Sequence, residues 1–395
     1  MADRDHDIAV LLPGGGARAA YQVGVLRAVA RILGRSSRQP FRIICGTSAG
    51  AINAATLAVH ADSFRRGVAR LLRWWRRVEV TDVYRADLAG VSWHGARWLT
   101  SVLLGAGGPK RAAAMLDNSP LRKVLGADLD LSRVGDHVRD GTLRALSINA
   151  TSYTTGQAVS FFQGSPGIVP WQRTRRRGEA AVIGIDHLLA SAAIPFVFPA
   201  ARIGRDFFAD GSVRQIAPLS PPLHLGARRI LVVGVGQFTG QMPTQRQREA
   251  PSYPSFAQTA GHALASIFLD NLGADLERMQ RMNHVLSLVP EPVQGLHPEL
   301  AHVDAMVITP SRDLGAMAVP HAPSLPAGVR YLLRGLGSTE GTGAGLLSYL
   351  LFDGRYTEAL LELGYRDAIT RRDELAAFLA ADGVRYQPLF PPELS

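Results

Sequence analysis

Phe41-Arg42-Ile43-Ile44-Cys45-Gly46-Thr47-Ser48-Ala49-Gly50-Ala51-Ile52-Asn53-Ala54-Ala55 is the stretch whose reading decides the fold. An apolar run, a G-x-S-x-G turn and a helix-like run follow one another without a break. That strand–turn–helix order suits a nucleophile elbow, in which a serine leaves a strand on a sharp turn and projects its hydroxyl into a cleft. Gly46 and Gly50 permit the turn and a close approach of backbone. Serine in a turn of small residues is common, so the flanking sequence has to decide the matter.

Upstream, Ile8-Ala9-Val10-Leu11-Leu12 reads as a buried strand, Gly14-Gly15-Gly16 as a turn and residues 17–33 as a helix. Tyr21, Val25, Val29 and Leu33 recur at spacing four on one face of that helix. Residues 41–45 then form the next strand and residues 48–60 the next helix. This βαβα opening predicts an α/β fold whose largely parallel sheet is covered on both faces. Later strands are expected at 143–150, 158–162, 206–209, 230–235, 285–290 and 305–308. Further helices are expected at 119–125, 185–193, 256–282, 356–363 and 371–381. Loops are expected at 105–111 and at 237–254, a stretch rich in Gln, Pro, Thr and Ser. Strand signals continue past that loop. The expectation is therefore one α/β unit over 1–395, with a catalytic core at 8–235 and a C-terminal portion, 236–395, that completes or covers it.

Composition narrows the function. One cysteine, Cys45, excludes an intramolecular disulfide framework and fits a reducing compartment. The polar start Met1-Ala2-Asp3-Arg4-Asp5-His6-Asp7 lacks the order of a signal peptide, and no apolar run reaches the ~18 residues of a membrane span. A cytoplasmic protein is expected. The net charge of +10 is almost all arginine, with lysine at Lys110 and Lys123 alone. Such a balance suits anionic partners. Neither zinc-finger spacing nor an RNA-binding aromatic motif is present, and no nucleic-acid partner is expected. His187, His224, His262 and His284 show no metal-ligand spacing, so no metal site is predicted.

A serine nucleophile needs a base and donors for the developing oxyanion. Gly14, Gly15 and Gly16, between a strand and a helix start, have unencumbered N–H groups that can face an anion. Arg18 follows, placed to support that loop or to meet an anionic headgroup. The glycines also match a loose dinucleotide fingerprint, but residues 8–61 contain no acidic residue to hold a ribose and no Gly-Lys-Ser/Thr follows. An ordinary α/β-hydrolase would place several strands before its elbow, whereas Ser48 lies one βα unit from the start.

Gly14-Gly15-Gly16-Ala17-Arg18, then Gly46-Thr47-Ser48-Ala49-Gly50, then Asp206-Phe207-Phe208-Ala209-Asp210-Gly211-Ser212 form an ordered set that resembles the patatin-like phospholipase family. Ser191-Ala192-Ala193-Ile194-Pro195 resembles the family's segment before the aspartate strand. Ala19 and Ser212 depart from it, standing where glycine, and glycine or alanine, are usual. The resemblance implies a three-layer α/β/α fold and a Ser–Asp dyad that works without histidine or cofactor. It makes Ser48 the nucleophile, Asp210 the proton acceptor and Gly14, Gly15 and Gly16 the oxyanion loop, with Arg18, Gly46, Gly50 and Gly211 in support. The implied substrate is a phospholipid, lysophospholipid or other fatty-acyl ester. Two other readings stay open: a Ser–His esterase using His187 or His224, and a non-catalytic membrane-associating protein of the same fold.

Residues 63–78 supply the candidate membrane contact. On a helix, Phe64, Val68, Leu71, Leu72 and Trp75 form an apolar stripe opposite Arg65, Arg66, Arg70, Arg73, Arg76 and Arg77. That pattern suits an anionic lipid interface, and equally a surface helix that packs its stripe on the core. Trp93 and Trp98, beside Gly90 and Gly95, are read as lining a lid or filling a core.

Overall fold

Ile8, Val10 and Leu12 of β1 (Ile8–Leu12) enter one hydrophobic core, while Ala9 and Leu11 enter a second. A strand buried on both faces has no solvated side to alternate with, which is why it reads as an unbroken apolar run. A computed structural model of the chain describes residues 7–34, 39–85, 114–236, 256–290, 302–330 and 344–380. The loops expected at 105–111 and 237–254, and Trp93 and Trp98, lie outside the described residues.

The other strands are β2 (Ile43–Thr47), β3 (Ala145–Ser152), β4 (Ala158–Gly164), β5 (Trp171–Arg173), β6 (Arg176–Ala180), β7 (Ala201–Ile203), β8 (Asp206–Asp210), β9 (Arg229–Val233) and β10 (Asp304–Ile308). They make one sheet in the order β10-β9-β1-β2-β3-β4-β6-β5, with β8 on β3 and β7 on β8. Pairing is parallel from β10 to β3 and between β4 and β6. It is antiparallel between β3 and β4, β3 and β8, β5 and β6, and β7 and β8.

Helices α1 (Ala20–Ile32), α2 (Ala49–Val59) and α3 (Phe64–Arg77) cover one face. Helices α4 (Ser119–Asp128), α5 (Ser132–Arg139) and α6 (Ile185–Ser191) follow in the same layer. Leu272, Leu276 and Met279 of α7 (Phe256–Ser287) pack on the other face with Leu11, Ile43 and Cys45. The architecture is the expected three-layer α/β/α sandwich. The last helices, α8 (Ala344–Leu350), α9 (Gly354–Thr370) and α10 (Arg372–Leu379), return to the α1 face. Gly24 of α1 lies against the Leu361 carbonyl and Gly364 of α9 against the Tyr21 carbonyl, so a Cβ on either glycine would strike backbone. The Tyr21 hydroxyl donates to Asp367 Oδ2 at 3.0 Å across the same crossing. Strand β10 extends the sheet that β1 and β2 begin.

Helix α3 presents its stripe to the core. Phe64, Val68, Leu71 and Trp75 are buried. The Trp75 Nε1–H donates to Asn53 Oδ1 at 2.8 Å, Asn53 Nδ2–H donates to Gln22 Oε1 at 3.0 Å, and Gln22 Nε2–H donates to the Pro13 carbonyl at 2.8 Å. This buried polar chain ties α3, α2 and α1 to the loop after β1. On the outer face Arg66, Arg70 and Arg76 pair with Asp62, Asp128 and Glu358. The apolar stripe of 63–78 is thus occupied by the protein's own core.

Residues 285–290 correct an expected strand: α7 continues to Ser287, with Val285 and Leu288 exposed and Leu286 buried. Two exposed residues bracketing the run leave it no strand face to bury. Strands β5, β6 and β7 and helix α5 were not expected. Gln172-Arg173-Thr174-Arg175-Arg176-Arg177 has no apolar alternation, because β5 and β6 lie at the sheet's edge and pair through backbone.

If Trp75 is a core donor, Trp75→Phe removes a hydrogen bond and leaves Asn53 Oδ1 without it. Urea unfolding should register a loss of about 1–3 kcal/mol with the far-ultraviolet circular dichroism retained. An unchanged midpoint would place this tryptophan outside the core.

Candidate active site

Ser48 is the residue at which β2 turns into α2. Its backbone sits at φ 56°, ψ −129°, in the left-handed half of the map that few non-glycine residues occupy. The residues beside it make that turn feasible. A Cβ on Gly46 would meet Gly50 and Ala51 backbone, and one on Gly50 would strike the Leu12 carbonyl. The start of α2 is therefore pressed against the end of β1, and Ser48 is only 2% exposed.

Helix α6 adds a brace. Ser191 Oγ accepts from the Ser48 N–H at 2.8 Å and donates to the Asn149 carbonyl at 2.6 Å. Asn149 Nδ2 in turn donates to the Gly46 carbonyl and to Thr47 Oγ1. Ser191 and Asn149 were not singled out as supporting residues at the sequence level. Polar side chains at the end of an apolar helix and inside an apolar strand were the available signal.

Asp210 reaches the same place from the opposite direction. Because β8 pairs antiparallel with the last residues of β3, with Ala150 opposite Asp210, the chain runs down onto the end of β2. Gly211 then passes so close to the Asn149 carbonyl that a Cβ would not fit. Asp210 Oδ1 accepts from the Ser212 N–H at 2.9 Å, while Oδ2 has no hydrogen-bond partner among the described residues. Burial, at 1% exposure, pushes the carboxyl up to about 6; the Ser48 hydroxyl beside it and the Ser212 amide pull the other way. The unusual Ser212 acts on Asp210 through its backbone N–H and also through its side chain. Asp206 stands apart, half-buried and accepting from Thr154 Oγ1 at 3.0 Å.

The glycine loop closes the third side. The Arg18 N–H bonds back to the Gly15 carbonyl at 3.1 Å, which leaves the Gly16 and Ala17 amides at the head of the turn Gly16–Ala19 without an intrahelical acceptor. Gly16, at φ 54°, lies against the Tyr349 carbonyl, and Gly15 against Val235. Arg18 is buried, with Nε donating to Ser348 Oγ at 2.7 Å and its guanidinium 4.4 Å above the Tyr349 ring. Of its two expected roles, loop support is the one these contacts serve. Gly14 continues the buried loop after β1.

Gly16 and Ser48 line a small cleft whose apolar lining includes Ile52, Trp74, Leu121, Phe198, Leu350 and Phe352. Tyr349, Leu350 and Phe352 come from the far end of the chain, and nothing in the motifs pointed to them. His187 accepts from the Gly184 N–H and packs edge-on to Phe161; His224 stacks on Trp171 in the second core. Burial lowers the pKa of both, and neither is hydrogen-bonded to Ser48. Among the described residues no group of histidine, cysteine and carboxylate side chains is arranged to hold a metal, and no helix is long and apolar enough to cross a membrane.

Comparison with known proteins follows this geometry. The model of the patatin-like phospholipase family matches residues 10–223, which span the glycine loop, the elbow and the aspartate strand. A cGAMP-activated phospholipase of Pseudomonas aeruginosa (strain BWHPSA011 / Pa011) is 30% identical over 207 residues, covering 52% of this chain and 53% of that protein. The chain thus matches about half the length of that relative. The crystal structure of VipD from Legionella pneumophila aligns over 94% of this chain and 67% of its own at 11% identity and a TM-score of 0.34, a likeness too slight to carry an argument. With the family match covering more than half of its length, the chain belongs to the patatin-like phospholipases.

Proposed function

We propose that the protein is a serine acyl hydrolase that cleaves fatty-acyl esters of phospholipids or lysophospholipids with Ser48 and Asp210. The observation that carries this reading is the meeting of a strained, buried serine with a buried carboxyl that its hydroxyl is close enough to stabilise. Ser48 Oγ attacks the ester carbonyl and Asp210 Oδ2 takes its proton. The amides of the Gly14–Gly16 loop face the developing oxyanion, a task for which each donor is typically worth about 3–4 kcal/mol. Collapse of the tetrahedral intermediate breaks the ester C–O bond, and Asp210 returns the proton to the leaving alkoxide. Water, deprotonated by Asp210, then attacks the acyl-Ser48 ester, and the serine recovers its proton as the fatty acid leaves.

The apolar lining of the cleft suits an acyl chain. A second apolar hollow shares Ile52 and Trp74 with it. No cofactor takes part in this scheme. The name of the Pseudomonas relative extends the proposal to regulation by a cyclic dinucleotide, so turnover is to be measured with and without cGAMP.

Ser48→Ala should lower hydrolysis of a soluble short-chain ester by about 10⁴-fold or more, and Asp210→Asn by about 10²–10⁴-fold. Full activity in Ser48→Ala sinks the mechanism. Activity retained in Asp210→Asn but lost on changing His187 or His224 moves the protein to a Ser–His scheme. Vesicle binding without any turnover, with or without cGAMP, leaves a non-catalytic protein of this fold.

The base works as a carboxylate, so kcat/KM should rise about tenfold per pH unit below pH 6 and level off above it. A flat profile from pH 4.5 to 7.5 would remove Asp210 as the base. The same shift costs stability. A carboxyl whose folded pKa lies above its unfolded value favours the fold at low pH, and that advantage is lost as pH rises through about 6. Asp210→Asn should therefore raise the stability at pH 8 by up to about 3 kcal/mol and change it little at pH 4, as read by thermal unfolding.

A further inference from the structure

Ser48 lies at the end of the sheet toward which β3 runs, since Thr47 pairs with Asn149 and β3 continues to Ser152. Register places three other features beyond that same end. The β5–β6 turn is there, because Arg173 pairs with Arg176, Arg176 with Ala158 and Ala158 with Thr151. The β7–β8 hairpin is there too, because Phe208 pairs with Ser152 and the Tyr153 N–H donates to the Phe207 carbonyl. The third is the segment after α6, whose Ala193 carbonyl accepts from the Asp210 N–H.

These turns carry an unusual set of exposed side chains. Arg173 and Arg175 project from the first, Arg202 and Arg205 from the second, and all four are exposed. Among the described residues none of the four is paired with a carboxylate: Arg173 and Arg202 donate to the carbonyls of Gln172 and Gly204. The acidic groups nearby are engaged, Glu179 with Arg177 and Asp206 with Thr154. Exposed aromatic rings stand among them: Tyr153 at 55%, Phe207 at 51% and Phe196 at 72%. Arg202 and Phe207 are directly opposed across the hairpin and so share a face. Phe196 is held at φ 68°, so an aromatic ring stays in solvent on a backbone that itself costs energy.

We propose that this end of the sheet is the surface on which the protein docks to an anionic phospholipid bilayer. Guanidinium groups meet the headgroup phosphates, and the aromatic rings enter the headgroup–acyl boundary, the division of labour that interfacial proteins use. From β7 to β5 is five strand-to-strand steps, about 24 Å, wide enough to address many lipids rather than one. Among the described residues the opposite end of the sheet shows no comparable cluster of unpaired arginines. Val169 and Val182 are exposed in that direction, but the neighbouring Arg42 and Arg144 are committed to Asp7. The surface also replaces the contact expected of 63–78. The proposal draws its purpose from the lipid-hydrolase reading, yet its test reads binding apart from turnover.

The experiment is flotation of the Ser48→Ala protein with vesicles of phosphatidylcholine alone or mixed with phosphatidylglycerol. Binding is expected on the mixed vesicles and should weaken as salt is raised. Combining Arg173→Glu, Arg175→Asn, Arg202→Glu and Arg205→Glu should lower it by about a hundredfold or more. Asparagine is used at 175 because that residue sits at φ 60° and asparagine tolerates it. Tyr153→Ser with Phe207→Ser should weaken binding and leave most of its salt dependence. Changing Arg65, Arg73 and Arg77 of α3 to glutamate should cost far less than the hairpin set.

Each surface variant, rebuilt with Ser48 intact, should hydrolyse a soluble ester like the parent, which shows that the fold survives. If the parent hydrolyses no ester, circular dichroism takes that role and the binding result still stands on its own. Equal binding of parent and charge variant, or equal binding to neutral and mixed vesicles, overturns the proposal. So does tighter binding to a single-stranded DNA oligonucleotide than to mixed vesicles at equal phosphate, lost in the same variant.

Discussion

The left-handed backbone at Ser48 is the constraint on which the rest of the site depends. Holding a non-glycine residue there costs about 1–3 kcal/mol, and it persists only where the surroundings leave no alternative. Here three neighbours leave none. Gly46 and Gly50 let α2 press against the end of β1 with no side chain between them. Ser191 holds the Ser48 amide and passes the load to Asn149 on β3. The hydroxyl is thereby aimed at one spot, the meeting point of β1, β2 and β8, where the glycine loop and Asp210 also arrive.

That spot is kept dry, and burial raises the pKa of Asp210 there and of Cys45 in the second core alike, with different consequences. A fully buried carboxyl is disfavoured in its charged form, which raises Asp210 to about 6, the range the proposed general base needs. Cys45, buried one turn away in the second core, is pushed up by the same loss of water and has no charge partner to bring it back. A carboxyl tuned by burial serves general-base chemistry; a thiol so treated is inert packing. The two residues show that burial alone does not make a site. Asp210 differs because Oδ1 is anchored by the Ser212 amide and the Ser48 hydroxyl lies beside the carboxyl.

The C-terminal third of the described chain shares in both packing and site. Glycines at the α1–α9 crossing let two helix backbones meet, and Ser348 and Tyr349 of α8 grip Arg18 directly behind the glycine loop. A residue more than three hundred positions away thus holds the loop's conformation. The chain Trp75–Asn53–Gln22–Pro13 does the same from the other side, and of the two readings of 63–78 it commits Trp75 to the core. Buried polar chains of this kind are stabilising only when every member is satisfied, and here each link has a partner.

Much of the candidate site's geometry was legible because its backbone demands are local. The turn around Ser48, the glycine triplet and the Asp210-Gly211 pair each declare themselves within five or so residues, and backbone geometry demands those residue types there. The three-layer fold was legible for a related reason: β1 and β2 are apolar without alternation, and only a sheet covered on both faces produces that. What the sequence could not decide were matters of partnership between distant segments. The amphipathic pattern of 63–78 is the same whether its stripe meets lipid or the α1–α2 surface, and only the tertiary packing chose. Strands β5 and β6 carry no apolar alternation across 172–177, so their pairing is set by neighbours rather than by their own residues. The cationic, aromatic end of the sheet exists only because register brings residues 153, 173, 202 and 207 to the same end. Local backbone chemistry is written in adjacent residues; a surface is written in the way strands line up.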